Sequence, residues 1–253
     1  MIYINYLYKL FIMNTLFLKK SSSQMIIYKN VKLLVFDMAG TTINEKGIVY
    51  DTLYNTIKNF GLNITRNELS NWYGCNKYEV LNHFLYKDKK NIKMDQIQKC
   101  VQEQLYSNFD NNLKEKYFAF NSDIEVIDEK LPDILYNLKK KDIKISLNTG
   151  YSKDIQESII KKLNMNELID DYISSEEVKF GRPYPYMIYR LMERNNIQSV
   201  KSVIKFGDTQ NDILEGINAN CLSSIGLLTG AETKEQLKNA GANIILNNLK
   251  SIE

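Results

Sequence analysis

The sequence has few of the residues that build histidine metal sites or disulfides. Its 253 residues include one histidine, His83, and three cysteines, Cys75, Cys100 and Cys221. A single histidine excludes a site in which several histidines bind one metal ion. The cysteines lie far apart without a CxxC spacing, which indicates reduced thiols. We therefore expect a cytoplasmic protein without a disulfide framework.

Strong charge and long apolar runs are also absent. The net charge is +3 and the pI is about 8.5, too weak a basic excess to favour nucleic acid or an anionic membrane surface as a partner. The longest uncharged apolar stretch near the N-terminus, residues 10–18, is far shorter than the ~20 residues of a membrane span. We therefore expect neither nucleic acid nor membrane as a partner.

The first 24 residues differ from the rest of the chain. They contain three lysines and no acid, and the pair Lys19 and Lys20 follows the apolar stretch, whereas a signal peptide carries its charge before that stretch. We expect residues 1–24 to be a disordered extension, with Met25 as a plausible true start, and leave organellar targeting open. In either case we place them outside the fold.

Hydrophobic residues make up 44% of the sequence, and short apolar runs alternate with amphipathic segments from residue 31 onwards. The runs end in a turn or a polar residue, which is typical of buried parallel strands. The predicted strands are 31–36, 143–148, 202–206, 223–228 and a weaker 243–246. The predicted helices are 131–141, 153–163, 185–195 and 212–218. This alternation predicts an α/β fold with a parallel sheet covered by helices on both faces.

About 100 residues between the first and second strands break the alternation, and a structureless loop of that length is uncommon in a compact domain. Four segments there have amphipathic helical spacing: 50–60, 66–72, 77–86 and 94–117. We predict an all-helical insertion, residues 45–124, in a core formed by residues 25–44 and 125–253.

Polar residues stand where three predicted strands end, namely Asp37, Thr149 and Asp208, and Arg182 lies on a loop between the last two. The carboxyl ends of parallel strands form the edge at which α/β proteins bind ligands. Two neighbouring carboxylates repel each other unless a cation lies between them. Because Mg²⁺ prefers oxygen ligands and retains waters and phosphate oxygens, this pattern favours magnesium and a phosphoryl group.

Four motifs occur in order along the chain: FDMAGTT (36–42), NTG (148–150), GRP (181–183) and GDTQND (207–212). Together they resemble the motifs of the haloacid dehalogenase (HAD) superfamily. The alanine two positions after the first aspartate, with TGY and GRPYPYM, is similar to the phosphonoacetaldehyde hydrolase, or phosphonatase-like, subfamily. The resemblance covers about residues 31–230 and implies a Rossmann-like three-layer core with a helical cap.

The resemblance also implies roles for individual residues. Asp37 would attack phosphorus and form an aspartyl-phosphate, which is covalent catalysis by a carboxylate. Mg²⁺ would be held by Asp37, the backbone carbonyl of Ala39 and Asp208, while Asp212 would support that shell or bind through water. Thr149 would hydrogen-bond a phosphoryl oxygen. Arg182, with Lys179 as a rival, would neutralise the phosphoryl group and Asp37. The substrate-binding residues would be Gly40, Thr41, Gly74 and Gly150.

Ala39 departs from ordinary HAD phosphatases, which have an aspartate there that protonates the leaving oxygen and activates water. Phosphonatases instead use a cap lysine that forms a Schiff base with the substrate aldehyde. The segment YGCNK (73–77) resembles the motif that carries this lysine and assigns the role to Lys77, with a surface lysine as the alternative. Val80 stands where phosphonatases have a histidine. His83 lies about 240° around a helix from Lys77, at about 100° per residue, and we expect a structural role for it.

We therefore predict a Mg²⁺-dependent HAD hydrolase that cleaves the C–P bond of a small carbonyl phosphonate such as phosphonoacetaldehyde. A phosphatase of small phosphate esters is the first alternative, and a non-catalytic module that binds phospho-ligands or proteins is the second. The partner would be the small substrate, and a homodimer is left open.

Overall fold

The computed structural model describes residues 13–21, 24–87 and 96–252, which form ten strands and nine α-helices. The strands are β1 (Leu16–Ser21), β2 (Gln24–Tyr28), β3 (Leu33–Asp37), β4 (Ile43–Asn44), β5 (Glu125–Val126), β6 (Lys144–Thr149), β7 (Asp171–Ser174), β8 (Val203–Gly207), β9 (Ser223–Leu227) and β10 (Ile244–Leu246). The helices are α1 (Ile48–Asn59), α2 (Arg66–Ser70), α3 (Lys77–Tyr86), α4 (Gln96–Phe118), α5 (Leu131–Lys140), α6 (Lys153–Lys162), α7 (Tyr186–Arg194), α8 (Gln210–Asn218) and α9 (Lys234–Asn239).

Six strands form one parallel sheet in the order β10-β9-β8-β3-β6-β7. Successive side chains of a strand point to opposite faces. In β3, Leu33 and Val35 join a cluster with Met187 of α7, whereas Leu34 and Phe36 join the larger cluster that contains residues of α5 and α6. Helices therefore cover both faces of the sheet, and the predicted three-layer α/β core is confirmed.

Several short elements of the structure were not predicted. Strand β7 was not predicted because it has four residues at the edge of the sheet, and two of them are only partly buried. Its sequence, DYIS, therefore lacks the apolar run that identifies the inner strands. Helix α9 has six residues, of which only Leu237 is buried, too little for an amphipathic pattern. Strands β1, β2, β4 and β5 were not predicted either, whereas the elements that were predicted begin and end within a few residues of their expected bounds.

The prediction that residues 1–24 lie outside the fold is wrong for β1. This strand pairs antiparallel with β2, and Leu16 and Leu18 are fully buried in the larger core cluster. Leu18 also forms an antiparallel bridge with Ile252 near the C-terminus. Burial of two leucines contributes about 1.5–3 kcal/mol each, which a disordered extension would forgo. Residues 1–12, on which a targeting role would depend, lie outside the described residues.

The helical insertion, residues 45–124, contains α1 to α4 and joins the core through two adjacent linkers. Strands β4 and β5 pair antiparallel, with Ile43 opposite Val126, so the chain leaves the core and returns to it side by side. Helix α1 packs against α4, and buried residues of both, such as Leu53 and Leu105, belong to the larger core cluster. Across the described ranges, we find no helix long and apolar enough to cross a bilayer.

Candidate active site

Three neighbouring strands bring their polar ends to one edge of the sheet. Asp37 ends β3, Thr149 ends β6, and Asp208 follows β8, while β3 lies between the other two strands. Asp212, in the first turn of α8, completes a group of three buried aspartates. One carboxylate oxygen of each of the three lies within 4.8 Å of those of the others. The sheet topology thus brings together side chains that are up to 175 positions apart in the sequence.

Arg182 lies among these carboxylates and is only 2% exposed. One of its terminal nitrogens is 2.7 Å from Asp37 Oδ1 and 3.1 Å from Asp212 Oδ1. The rival cation, Lys179, is exposed and lies over the Phe180 ring, 5.4 Å from its centroid. Of these two candidates, Arg182 is therefore the one that contacts the aspartates.

A second buried cation, Lys205, was not assigned any role from the sequence. Its Nζ lies 2.8 Å from Asp212 Oδ1 and 3.5 Å from Glu215 Oε2, and it donates a 2.8 Å hydrogen bond to Asn148 Oδ1. A lysine inside the apolar run SVIKF was the available signal, because a buried lysine requires a partner. The partner Glu215 stands three residues after Asp212, on the same face of α8.

Asn148 and Glu215 complete the network beneath Arg182. Asn148 Nδ2 donates to both Glu215 oxygens at 2.9 and 2.8 Å, and Arg182 Nε lies 3.2 Å from Glu215 Oε2. The arginine also donates 2.7 Å hydrogen bonds to the backbone and side-chain oxygens of Asn148. These contacts fix the guanidinium plane, since its fork of donors can meet several oxygens at once.

The charge network controls the protonation of its members. Burial acts to raise the pKa of Asp212, but the adjacent Arg182 and Lys205 outweigh it and lower that pKa below 3.8. Burial disfavours the charged form of Arg182, yet Asp212, Asp37 and Glu215 together raise its pKa above its usual value. Both groups are therefore ionised at neutral pH.

Asp208 differs from the other acids because no lysine or arginine in the described part of the chain forms an ion pair with it. Its oxygens accept hydrogen bonds from Thr41 Oγ1 at 3.1 Å and from the Ala231 amide at 2.7 Å. Burial, followed by the charges of Asp37 and Asp212, raises its pKa well above 3.8. Burial likewise raises the pKa of Asp37. A divalent cation between these two carboxylates would relieve that cost, so the residues present fit Mg²⁺.

Gly40 permits the close approach of the first loop to Asp208. Its φ is +79°, and a Cβ at this position would lie 2.6 Å from Asp208 Oδ2, closer than van der Waals contact allows. The left-handed backbone also strains any residue other than glycine. Gly40 therefore shapes the loop between Asp37 and Thr41, and its predicted contact with substrate stays a prediction.

Thr149 is 3% exposed at the end of β6, and its Oγ1 accepts a 3.2 Å hydrogen bond from the Tyr151 amide. The next residue, Gly150, contacts the helical insertion directly. A Cβ on Gly150 would lie 2.2 Å from the carbonyl oxygen of Cys75. Its own carbonyl accepts a 3.1 Å hydrogen bond from the Lys77 amide.

Gly74 forms the other close contact between insertion and core. Its φ is +80°, and a Cβ here would lie 2.4 Å from Thr209 Oγ1. Its carbonyl accepts a 3.2 Å hydrogen bond from Arg182, and the neighbouring carbonyl of Tyr73 accepts one of 2.7 Å from Asn211 Nδ2. The loop that precedes Lys77 is thus held against the edge of the sheet that carries the three aspartates.

Lys77 begins α3 and is 5% exposed. Its Nζ donates a 3.0 Å hydrogen bond to the Cys75 carbonyl and lies 5.2 Å and 5.7 Å from the ring centroids of Tyr50 and Tyr151. No carboxylate among the described residues forms an ion pair with it. Burial lowers the pKa of Lys77 below 10.5, and the positive end of the helix dipole acts in the same direction.

Val80 and His83 differ in burial along α3. Val80 is fully buried, and its side chain cannot carry a proton. His83 lies on the exposed face of α3, with its ring 4.5 Å from that of Trp72. His83 therefore packs against an aromatic side chain of the insertion, and no contact between it and Lys77 is found in the described residues.

A pocket of about 240 Å³ opens beside the aspartates. The core contributes Ala39, Gly40 and Asp208 to its wall, and the insertion and its linker contribute Glu45 and Tyr50. A pocket below the ~300–1,000 Å³ range of drug-sized ligands suits a molecule of few heavy atoms. Its wall therefore combines an acidic edge of the core with the helical insertion.

Comparisons with known proteins agree with this arrangement. The family model for haloacid dehalogenase-like hydrolases matches residues 34–225. A bifunctional phosphonoacetaldehyde hydrolase/aminoethylphosphonate transaminase of Clostridioides difficile is 28% identical over 222 residues, which are 83% of this chain and 34% of that protein. The chain thus spans about a third of that relative's length. Phosphonoacetaldehyde hydrolase of Parabacteroides distasonis is 29% identical over 80% of this chain and 78% of its own.

The fold has solved counterparts. A hydrolase from Pseudomonas syringae superposes with a TM-score of 0.73 over 86% of this chain and 94% of its own, at 16% sequence identity. This likeness supports the fold alone. The family match covers residues 34–225, a range that includes Asp37, Arg182 and Asp208. The chain therefore belongs to the haloacid dehalogenase-like hydrolases and is an enzyme of that type.

Proposed function

We propose that the enzyme cleaves the C–P bond of a small carbonyl phosphonate, with phosphonoacetaldehyde as the reference substrate. The observation that carries this proposal is Lys77, a lysine buried at the contact between insertion and core that pairs with no carboxylate in the described part of the chain. A lysine with a lowered pKa is the usual nucleophile for a carbonyl. The relatives named phosphonoacetaldehyde hydrolase support the substrate class.

In the proposed reaction, the neutral Lys77 amine attacks the aldehyde, and loss of water gives a protonated imine. Asp37 then attacks phosphorus, and the electrons of the C–P bond pass to the iminium nitrogen to give an enamine. Water hydrolyses the aspartyl-phosphate to phosphate. The enamine takes up a proton and is hydrolysed to acetaldehyde, which regenerates Lys77. The scheme needs no carboxylate at Ala39, because the leaving group is a carbon stabilised by the imine.

The same geometry supports roles for the other residues. Arg182 would neutralise the phosphoryl group and orient Asp37, which it already contacts at 2.7 Å. Asp37, the Ala39 carbonyl and Asp208 would hold Mg²⁺, which when bound would supply positive charge for the phosphoryl oxygens. Asp212 would support this site indirectly, since both cations of the network contact its Oδ1. Thr149 would donate to a phosphoryl oxygen.

The proposal also covers the role of the helical insertion and the cellular location of the enzyme. The insertion would act as a cap that excludes water from the imine. Gly40, Thr41, Gly74 and Gly150 would line the path of the substrate. The free cysteines in the described residues support a cytoplasmic enzyme whose partner is the small substrate, and a homodimer stays a prediction.

Borohydride trapping tests the proposal. The protein is incubated with Mg²⁺ and phosphonoacetaldehyde, reduced, digested and examined by mass spectrometry. We expect an adduct on the peptide that contains Lys77 and none in Lys77→Arg, because arginine keeps the charge but forms no imine. Lys46→Arg is a control, since Lys46 lines the pocket beside the aspartates but is exposed and pairs with Asp123; it should retain the adduct.

A phosphatase of small phosphate esters is the second candidate, favoured by Val80 in place of the phosphonatase histidine. A product assay separates the two, because C–P cleavage yields acetaldehyde with phosphate and ester hydrolysis yields an alcohol with phosphate. If wild-type protein forms no adduct and Lys77→Arg hydrolyses esters at the wild-type rate, C–P cleavage is wrong and the phosphatase takes its place.

A further inference from the structure

Three buried polar side chains form a hydrogen-bonded chain that the reaction described above does not use. Tyr117 Oη donates to Glu45 Oε2 at 2.8 Å and lies 2.7 Å from Tyr151 Oη. Glu45 is 5% exposed, Tyr117 is fully buried and Tyr151 is 1% exposed. Burial of a carboxylate and two phenols costs more free energy than burial of apolar side chains, even when the three groups hydrogen-bond to one another.

The chain of hydrogen bonds runs across the junction between insertion and core. Glu45 lies on the linker that enters the insertion, Tyr117 is near the end of α4, and Tyr151 follows β6 in the core. The Lys77 amine lies 5.7 Å from the centroid of the Tyr151 ring. The three side chains therefore lead from the vicinity of the proposed imine to a carboxylate.

Glu45 has the properties of a proton acceptor. Its Oε1 accepts from the Gly47 amide at 3.0 Å and its Oε2 from the Val49 amide at 2.7 Å, while no lysine or arginine in the described residues forms an ion pair with it. Burial raises the pKa of Glu45 above 4.5 and lowers that of Lys77 below 10.5. The pKa values of Glu45 and Lys77 are thus closer together than in water, which favours transfer of a proton between the two groups.

We propose that Glu45, acting through Tyr117 and Tyr151, accepts a proton from Lys77 and returns it during imine formation, in place of a histidine on α3. This inference rests on the proposed C–P cleavage by way of a Lys77 imine. Glu45 and Tyr117 are positioning and relay residues, because they reach the amine only through Tyr151.

The proton is conserved in this step. The relay requires that rotation about the lysine side-chain bonds, or one bridging water, connect Nζ to the hydroxyl of Tyr151, whose ring centroid lies 5.7 Å from Nζ. Tyr151 receives the ammonium proton and passes its own to Tyr117, and Tyr117 passes its own to Glu45. The neutral amine adds to the aldehyde to give a carbinolamine. The reverse relay protonates the carbinolamine hydroxyl, which leaves as water and yields the protonated imine with Glu45 ionised again.

Timed borohydride trapping of phosphonoacetaldehyde on the full chain with Mg²⁺ tests the relay. In Tyr117→Phe and Glu45→Gln we expect the Lys77 adduct to form about a hundredfold more slowly than in wild type, the low end of general acid–base effects, with KM for turnover unchanged. Tyr78→Phe is the matched control. It removes another tyrosine–carboxylate hydrogen bond of the insertion, the 2.5 Å contact with Asp110, and should trap at the wild-type rate.

Chemical rescue separates the relay from a structural contact at the linker. Glu45 lines the pocket, so formate can reach the space left in Glu45→Ala. We expect formate, but not chloride at equal ionic strength, to restore trapping in proportion to its concentration. Thermal unfolding of each variant identifies a folding defect, and Glu45→Asp, which keeps the carboxyl group, should trap faster than Glu45→Gln.

The outcomes distinguish the two proposals. Wild-type trapping with unchanged rates in Tyr117→Phe and Glu45→Gln overturns the relay and leaves C–P cleavage intact. Slow trapping in the variants without rescue by formate also overturns the relay, because the contact is then structural. Absence of any wild-type adduct overturns the imine itself, and the relay with it.

Discussion

Arg182 and Lys77 are both buried near the edge of the sheet that carries the three aspartates, and their surroundings differ. Arg182 in the core lies within 3.2 Å of oxygens from Asp37, Asp212 and Glu215. Lys77 in the insertion has a backbone carbonyl and two aromatic rings around its amine. Opposite charges raise the pKa of Arg182, whereas burial lowers that of Lys77.

The difference shows that the surroundings of a buried basic side chain decide whether it keeps its proton or can lose it. Surrounded by carboxylates, a cation keeps its proton and acts as a fixed electrostatic partner for an anion. Without a counter-charge, a buried amine loses part of its affinity for the proton and becomes a nucleophile. Arginine suits the first setting and lysine the second, because only lysine is readily deprotonated in proteins.

The largest expected effect comes from Asp37, the anion that Arg182 holds. Asp37→Asn removes the proposed nucleophile and one charge of the proposed metal site while keeping the shape of the side chain. We expect turnover below a hundredth of the wild-type rate with Mg²⁺ present, since lesser catalytic groups account for about 10²–10⁴-fold. Steady-state assays measure it, with circular dichroism as the control for folding. A rate above that limit would contradict covalent catalysis at Asp37.

Stability measurements test the same contrast between a buried cation with and one without carboxylate partners, when Lys205 and Lys77 are each replaced by methionine. Lys205→Met leaves Asp212 and Glu215 with one cation fewer, and we expect a loss of about 3–5 kcal/mol in the free energy of unfolding, typical of a broken buried ion pair. Lys77→Met removes an amine without an ion pair, so we expect less than about 1 kcal/mol of loss, or a gain. Urea unfolding measures both. Equal losses would mean that Lys77 has a counter-charge.

The pH dependence of stability tests whether the pKa of Lys77 is lowered in the folded protein. The folded-state pKa of Lys77 is below 10.5, so between the lowered value and about 10.5 the unfolded chain binds more protons than the folded protein. The free energy of unfolding contributed by Lys77 therefore rises with pH across that window. Urea unfolding of wild type and Lys77→Met at a series of pH values measures this contribution. We expect the difference between their free energies of unfolding, wild type minus variant, to rise across that window. A difference that is flat, or that falls, would show an unshifted or raised pKa.

The smallest expected effect concerns Ala39, in the loop after the nucleophile. Ala39→Asp places a carboxylate where ordinary phosphatases of the family have a general acid. We expect ester hydrolysis to rise relative to C–P cleavage, because an alkoxide leaving group needs a proton and an enamine carbon does not. Parallel assays of acetaldehyde and alcohol release give the ratio. An unchanged ratio would show that position 39 does not decide the reaction.

The core could be predicted from the sequence because its signals are local. Each inner strand is a short apolar run that ends in a polar residue, and parallel pairing brings those ends to one edge. Asp37, Thr149 and Asp208 follow from that rule alone. Strand β7 could not be found in this way, because this four-residue edge strand lacks a continuous apolar run. Strands β1 and β2 do contain short apolar runs, LFL and MIIY, but they were missed because residues 1–24 were placed outside the fold.

The partners of the charges could not be predicted, because they depend on distances between elements. Lys205 appeared only as a lysine inside a strand, and Glu45 only as a linker acid. Their ion pairs and hydrogen bonds arise where β8 packs on α8 and where two linkers meet α4. The sequence by itself determined the family, the sheet and the identity of the catalytic candidates. Tertiary structure alone decided that Arg182 keeps its proton and that the proton affinity of Lys77 falls, since burial and neighbouring charges set a pKa and both are properties of the packed chain.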